Sequence, residues 1–139
     1  MSTRNKEILL RFLDAANSGD LDVITSLEHP DAVIRTPLPV SGLADVFTRL
    51  RTAFPDLRVA VEDVIAEGDK VVCRNRVTGT HLGEYMGRPA TGRTVSYEEI
   101  FVVRFADGLI AETWGVVDVL TQLRQLGFLP AESGTPAPD

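Results

Sequence analysis

Asp107-Gly108, set between two long apolar runs, constrains this chain more than any other feature. A two-residue type I′ turn needs φ > 0 at both central positions, and Asp-Gly between apolar runs is a strong signal for it. Counting outward from that turn places Phe105 opposite Ile110, Val103 opposite Glu112, Phe101 opposite Trp114, Glu99 opposite Val116 and Tyr97 opposite Asp118. Alternate residues of a strand share a face, so these five pairs line one side of a hairpin. That side is apolar near the turn and carries Tyr97, Glu99, Trp114 and Asp118 at its far end, a pattern that suggests a pocket. After Asp118 the period changes: Val119, Leu120, Leu123 and Leu126 fit a short helix ending at Gly127. Asp118 therefore stands where strand becomes helix. It can cap the first turn, or it can face a cavity as an acid or base.

The rest of the chain supplies helices first and strands later. A helix to about Ser18 buries Ile8, Leu9, Phe12, Leu13 and Ala16 and ends at Gly19. Asp20 caps a second short helix, stopped by His29-Pro30-Asp31. Ala32–Thr36 reads as a short strand, and Pro37 and Pro39 mark an edge or loop. A third helix runs from Ser41-Gly42 to about Ala53 and breaks at Phe54-Pro55-Asp56. Strands Leu57–Ala66 and Val71–Thr80 flank a turn at Gly68-Asp69, which pairs Asp63 with Arg74 and Val61 with Arg76. Residues 82–93 form a glycine-rich loop, long for a hairpin connection. Residues 131–139 lack apolar periodicity and read as a disordered tail after a domain of residues 1–130. This order indicates an α+β fold, helices on one face of an antiparallel sheet. A strongly curved sheet of that kind encloses a cone whose mouth is a ready pocket.

Composition narrows the function classes. A chain of 139 residues builds one core without staples. Its net charge of -6 argues against nucleic acid and against anionic membrane surfaces. No apolar run approaches the roughly 20 residues of a membrane span, and the first residues do not read as a signal peptide. The lone Cys73 precludes an intrachain disulfide and reads as a buried filler, so the expected location is a reducing cytoplasm. His29 and His81 are far apart and lack clustered carboxylates, so no metal site is expected. His29 reads as structural. His81 is either a proton carrier at a pocket mouth or a loop histidine held by backbone hydrogen bonds.

Several segments, taken in order, carry a resemblance. They are Phe54-Pro55-Asp56-Leu57, Val61-Glu62-Asp63, Glu67-Gly68-Asp69-Lys70-Val71-Val72, Gly79-Thr80-His81-Leu82-Gly83-Glu84, Met86-Gly87, Thr91-Gly92, Asp107-Gly108, Glu112-Thr113-Trp114, Asp118 and Gln122-Leu123-Arg124-Gln125-Leu126-Gly127. Over about residues 5–130 the chain resembles the SnoaL-like polyketide cyclase family of the nuclear transport factor 2-like fold. The resemblance implies a cone-shaped α+β barrel, a homodimer, and no metal or organic cofactor. It also implies that the aspartate of a Trp-x-x-x-Asp element is the acid/base of an intramolecular aldol ring closure. Here that element is Trp114-Gly115-Val116-Val117-Asp118. Where many relatives have a histidine on the early strand, this chain has Arg35.

The functional expectation is a cofactor-independent cyclase acting on a small apolar or polycarbonyl substrate. Asp118 and His81 are the catalytic candidates, and Tyr97, Glu99, Phe101 and Trp114 form the substrate wall. A carboxylate can take a carbon-bound proton and return one to oxygen if burial lifts its pKa. Epoxide opening and steroid-type isomerisation use the same fold and remain open. So does a non-catalytic ligand-binding or dimerisation module, since fold does not settle function.

Overall fold

The computed structural model describes residues 2–36 and 40–130. The inferred tail, residues 131–139, and Pro37 and Pro39 lie outside the described residues. The elements are α1 (Ser2–Ser18), α2 (Leu21–Leu27), β1 (Glu28–Ile34), α3 (Leu43–Ala53), β2 (Arg58–Glu67), β3 (Lys70–Thr80), β4 (Thr94–Ala106), β5 (Leu109–Val117) and α4 (Val119–Gln125). The strands form one five-stranded sheet in the order β1-β5-β4-β3-β2. The α+β class holds. The sheet is mixed rather than wholly antiparallel, because β1 joins the edge of β5 in parallel.

Local chemistry explains most boundaries. Asp20 accepts a hydrogen bond from the Val23 amide and caps α2. Gly42 brings no side chain to the head of α3, and Glu28 of β1 fills that role, accepting from the Leu43 amide at 2.7 Å. Gly19 and Gly127, both at positive φ, follow α1 and α4. The β4–β5 turn is of the expected type, with Asp107 at φ 56 and Gly108 at φ 72.

Helix α1 lies over the concave face of the sheet and docks through Asn17. Its amide donates to the Val59 carbonyl (2.9 Å), and its oxygen accepts from the Val59 amide (2.7 Å). Leu9, Ile24, Phe54, Val71, Ile110 and Leu126 are the fully buried centre. Each contributes about 1.5–3 kcal/mol of apolar burial.

Two bulges change the counted registers. On β2, Asp63 pairs with Arg74 as expected, but Val61 pairs with Asn75 and not Arg76. On β5, Phe105 still faces Ile110, yet Arg104 faces Glu112, Val102 faces Trp114 and Phe101 faces Gly115. Ala111 is the inserted residue, and beyond it every side chain of β5 changes face. Charge and volume account for the shift. Without the bulge Glu112 would point into the apolar core beside Val103. With it, the Glu112 carboxylate meets the Arg35 guanidinium at 2.8 Å and that of Arg104 at 3.4 Å. These cations hold the Glu112 carboxyl below its usual range.

Candidate active site

Beyond the bulge the concave face is built from alternate residues of three strands. β3 contributes Val71, Cys73, Asn75 and Val77; β4 contributes Phe105, Val103, Phe101, Glu99 and Tyr97; β5 contributes Ile110, Thr113, Gly115 and Val117. Phe101 covers Gly115, where a side chain has no room. Cys73 is a buried filler, its thiol pushed up to about 11 by burial.

Glu99 is the carboxylate of this face. It is partly buried between Asn75 of β3 and Val117 of β5. The Asn75 Nδ2 donates to its Oε1 at 3.1 Å. Burial raises the pKa of Glu99, and the Asn75 hydrogen bond opposes that rise without cancelling it. Beside it Tyr97 is buried and hydrogen-bonded to Gln122, and burial drives its phenol well above the ordinary range. The Tyr85 hydroxyl, from the loop after β3, donates to the Gln122 Oε1 at 3.2 Å. Helix α4, which carries Gln122, is thereby tied to both the sheet and the loop.

Asp118 is placed differently from the expectation. It caps α4: its carboxylate accepts from the Thr121 amide at 3.1 Å and from the Thr121 hydroxyl at 2.6 Å. The side chain is exposed, and these hydrogen bonds lower its pKa. The apolar chamber inferred around it is therefore a correction, made because the bulge sends Trp114 and Val116 to the outer face. Asp118 follows Val117, the cross-strand partner of Glu99, and lies beside Glu98 of β4. Val117 pairs with Glu99, and the Asp118 amide donates to the Glu98 carbonyl at 3.0 Å.

Trp114, expected as the wall for a planar substrate, lies on the convex face with 36% of its surface exposed. His81 is fully buried. The Thr91 amide donates to its Nδ1 at 3.2 Å. Its ring packs among Phe54, Tyr85 and Phe128 at centroid distances of 5.6, 6.3 and 6.0 Å. This setting matches the loop-holding alternative for His81, whose backbone also bonds to Gly92 and Arg93. His29, read as part of a turn from the sequence, lies on β1, its Nδ1 accepting from the Asp31 amide at 3.0 Å.

The structure thus sets Tyr97, Glu99 and Phe101 on one face of β4, while Asp118, bonded through its backbone to Glu98, lies exposed at the head of α4. Trp114 and His81 lie apart. Sequence reasoning missed Asn75 and Gln122. The available signal was a lone amide in the alternating row Val71, Cys73, Asn75, Val77, and a Gln four residues before Leu126 on the helix face turned inward. Clefts of about 560 Å³, at Arg4, Asp69 and Phe105, and about 290 Å³, at Leu21 and Arg51, lie away from Glu99. No group of three metal-ligating side chains occurs among the described residues.

A family model described as SnoaL-like polyketide cyclase matches residues 6–126. The chain belongs to the SnoaL-like polyketide cyclase family. Among curated relatives in this family, the aklanonic acid methyl ester cyclase of Streptomyces peucetius is 31% identical over 130 residues, 87% of this chain and 89% of that protein. An epoxide hydrolase, LasB of Streptomyces lasalocidi, is 33% identical over 84% of this chain but only 43% of its own length. Two solved structures, AclR from Streptomyces galilaeus and TsrD from Streptomyces laurentii, show the same fold. AclR is 35% identical with a TM-score of 0.83, covering 94% of this chain and 100% of AclR. TsrD is 32% identical with a TM-score of 0.84, covering 91% and 97%. Relatives of this chain thus include polyketide cyclases and an epoxide hydrolase.

Proposed function

We propose that this member of the SnoaL-like family closes a ring on a polycarbonyl, polyketide-type substrate by cofactor-independent acid/base catalysis, with two carboxylates dividing the proton traffic. The observation that carries the reading is the opposed environment of two carboxylates at the same end of β4 and β5. Burial favours the protonated form of Glu99, and hydrogen bonds favour the ionised form of Asp118. Pairs of titratable groups pushed apart in this way are how one site holds an acid and a base.

In the reaction Asp118 takes a proton from a carbon flanked by carbonyls. The carbanion attacks a ketone carbon, a C–C bond forms, and the Glu99 O–H supplies the proton to the new alkoxide. One proton moves from carbon to oxygen overall; Asp118 then releases its proton to solvent and Glu99 takes one back, which resets the pair. A low-pKa carboxylate is a weak base, but the carbon between two carbonyls is unusually acidic. A hydrogen bond from a neutral acid to the enolising oxygen makes it more so. Phe101 and Tyr97 supply the apolar floor.

Turnover of aklanonic acid methyl ester, the compound named for one relative, tests the reading. Glu99→Gln and Asp118→Asn keep shape and remove the titration, so each loses on the order of 10²-fold or more in kcat. Full turnover by both variants would overturn it. The likeness to an epoxide hydrolase supports a second reading, in which Glu99 protonates an epoxide oxygen and Asp118 activates water. Oxygen-isotope incorporation from water separates the two.

The protein works in the cytoplasm as a homodimer in this reading. The outer sheet face presents Ile100 at 46%, Trp114 at 36% and Val116 at 77% exposure. Contiguous apolar surface of this kind marks an interaction site. Val116→Asp dissociates such a dimer in sedimentation equilibrium.

A further inference from the structure

Asn75 stands in the row of β3 that otherwise fills the core with Val71, Cys73 and Val77, and it is 1% exposed. Its Nδ2 reaches both the Glu99 Oε1 and, at 3.5 Å, the Cys73 Sγ. Its Oδ1 is buried with no hydrogen-bond partner among the described residues. A buried acceptor left unsatisfied lowers stability, and an apolar side chain of similar volume would avoid that penalty. Packing alone therefore gives no reason for an amide here. The reason on the page is its cross-strand partner, since Asn75 and Glu99 are directly paired.

We propose that Asn75 is the positioning residue of Glu99, holding Oε1 through Nδ2 so that the transferable proton belongs to Oε2. An amide N–H can only donate, so the oxygen it faces must accept. In the neutral acid that oxygen is Oε1, and the hydroxyl oxygen is the one turned away from β3. The same bond persists when Glu99 ionises, so the side chain keeps one orientation through both halves of the proton cycle. Asn75 thus limits how far burial disfavours the anion.

Other groups around Glu99 leave this role to Asn75. Tyr97 on β4 and Cys73 on β3 interact with it and are held neutral by burial. Val117 faces it from β5. Arg74 and Arg76 alternate to the opposite face of β3, where they pair with Glu62, Asp63 and Glu98. Asp118, at the head of α4, is engaged by Thr121. The inference rests on the acid/base reading for its catalytic meaning, but not for the contact itself.

Asn75→Leu tests it, because Leu fills the volume, removes the donor and removes the orphaned oxygen. The titration of Glu99 is followed by carboxyl carbon NMR on glutamate-labelled protein, with Glu99→Gln providing the assignment. The expected result is a midpoint at least 0.5 pH units higher than in the wild type, with a Tm no lower. The kcat profile for aklanonic acid methyl ester moves with that midpoint while KM changes little. An unmoved Glu99 midpoint overturns the proposal, and so does a lowered Tm with an unshifted profile. If Glu99→Gln keeps full turnover, the acid/base reading falls, and the NMR midpoint still decides whether Asn75 governs Glu99.

Discussion

Gly115→Ala is the sharpest test of the face assignment on which the site depends. A Cβ built at residue 115 lies 2.6 Å from both Cδ1 and Cζ of Phe101 and closer still to Cε1. Real carbon contacts are not that short, so the Phe101 ring must leave its place over β5 or the strands must separate. Overpacking of this kind costs about 1–3 kcal/mol, which lowers Tm by about 4 °C per kcal/mol in a domain of this size. The opposite sign follows from simple outward counting at Asp107-Gly108. In that register residue 115 faces outward, and alanine in a strand stabilises by about 0.4–1 kcal/mol through the unfolded chain. Thermal or urea unfolding of the wild type, Gly115→Ala, Phe101→Ala and the double variant closes a cycle. The expected coupling is about 1–3 kcal/mol, with Gly115→Ala nearly neutral once the ring is gone. A Gly115→Ala protein as stable as the wild type, or equally damaged in both backgrounds, would refute the bulged register and the site drawn from it.

Two further outcomes concern the carboxylates. Glu99 binds its proton more tightly when folded, so stability falls as pH rises from about 4.5 through the raised folded value. Glu99→Gln lacks this loss, so its Tm exceeds the wild type by a margin that opens above pH 4.5 and vanishes below it. Asp118 has the reverse sign: its lowered pKa contributes stability above about 3.8 that is lost as pH falls through the folded value. Asp118→Ala removes the α4 cap and speeds amide hydrogen exchange over residues 119–125 at neutral pH. Asp118→Asn keeps the cap, because asparagine serves equally well there, so a catalytic defect in Asp118→Asn is not a folding defect.

Much of the fold was legible because its signals are local. Asp107-Gly108 needs two positive φ angles wherever it lies, Asp20 caps whatever helix follows it, and Gly19 and Gly127 end helices by their own conformational freedom. The ordered motifs from Phe54 to Gly127 carried the family. Tyr97, Glu99 and Phe101 were correctly placed on one face because they lie on the strand whose alternation the turn fixes directly.

What tertiary structure decided is the side on which residues beyond the bulges fall. Period-two counting has no term for Ala111 or for the extra residue between Val61 and Asp63. A bulge is chosen by the whole sheet, here because Glu112 finds Arg35 and Arg104 outside while Gly115 makes room for Phe101 inside. The parallel pairing of β1 with β5 and the burial of Asn75 and Gln122 likewise depend on residues distant in the chain. The sequence alone therefore determined the elements and their order, since these follow from interactions within a few residues. Only the packed sheet could decide which carboxylate is buried, because burial is a property of neighbours that the chain brings together last.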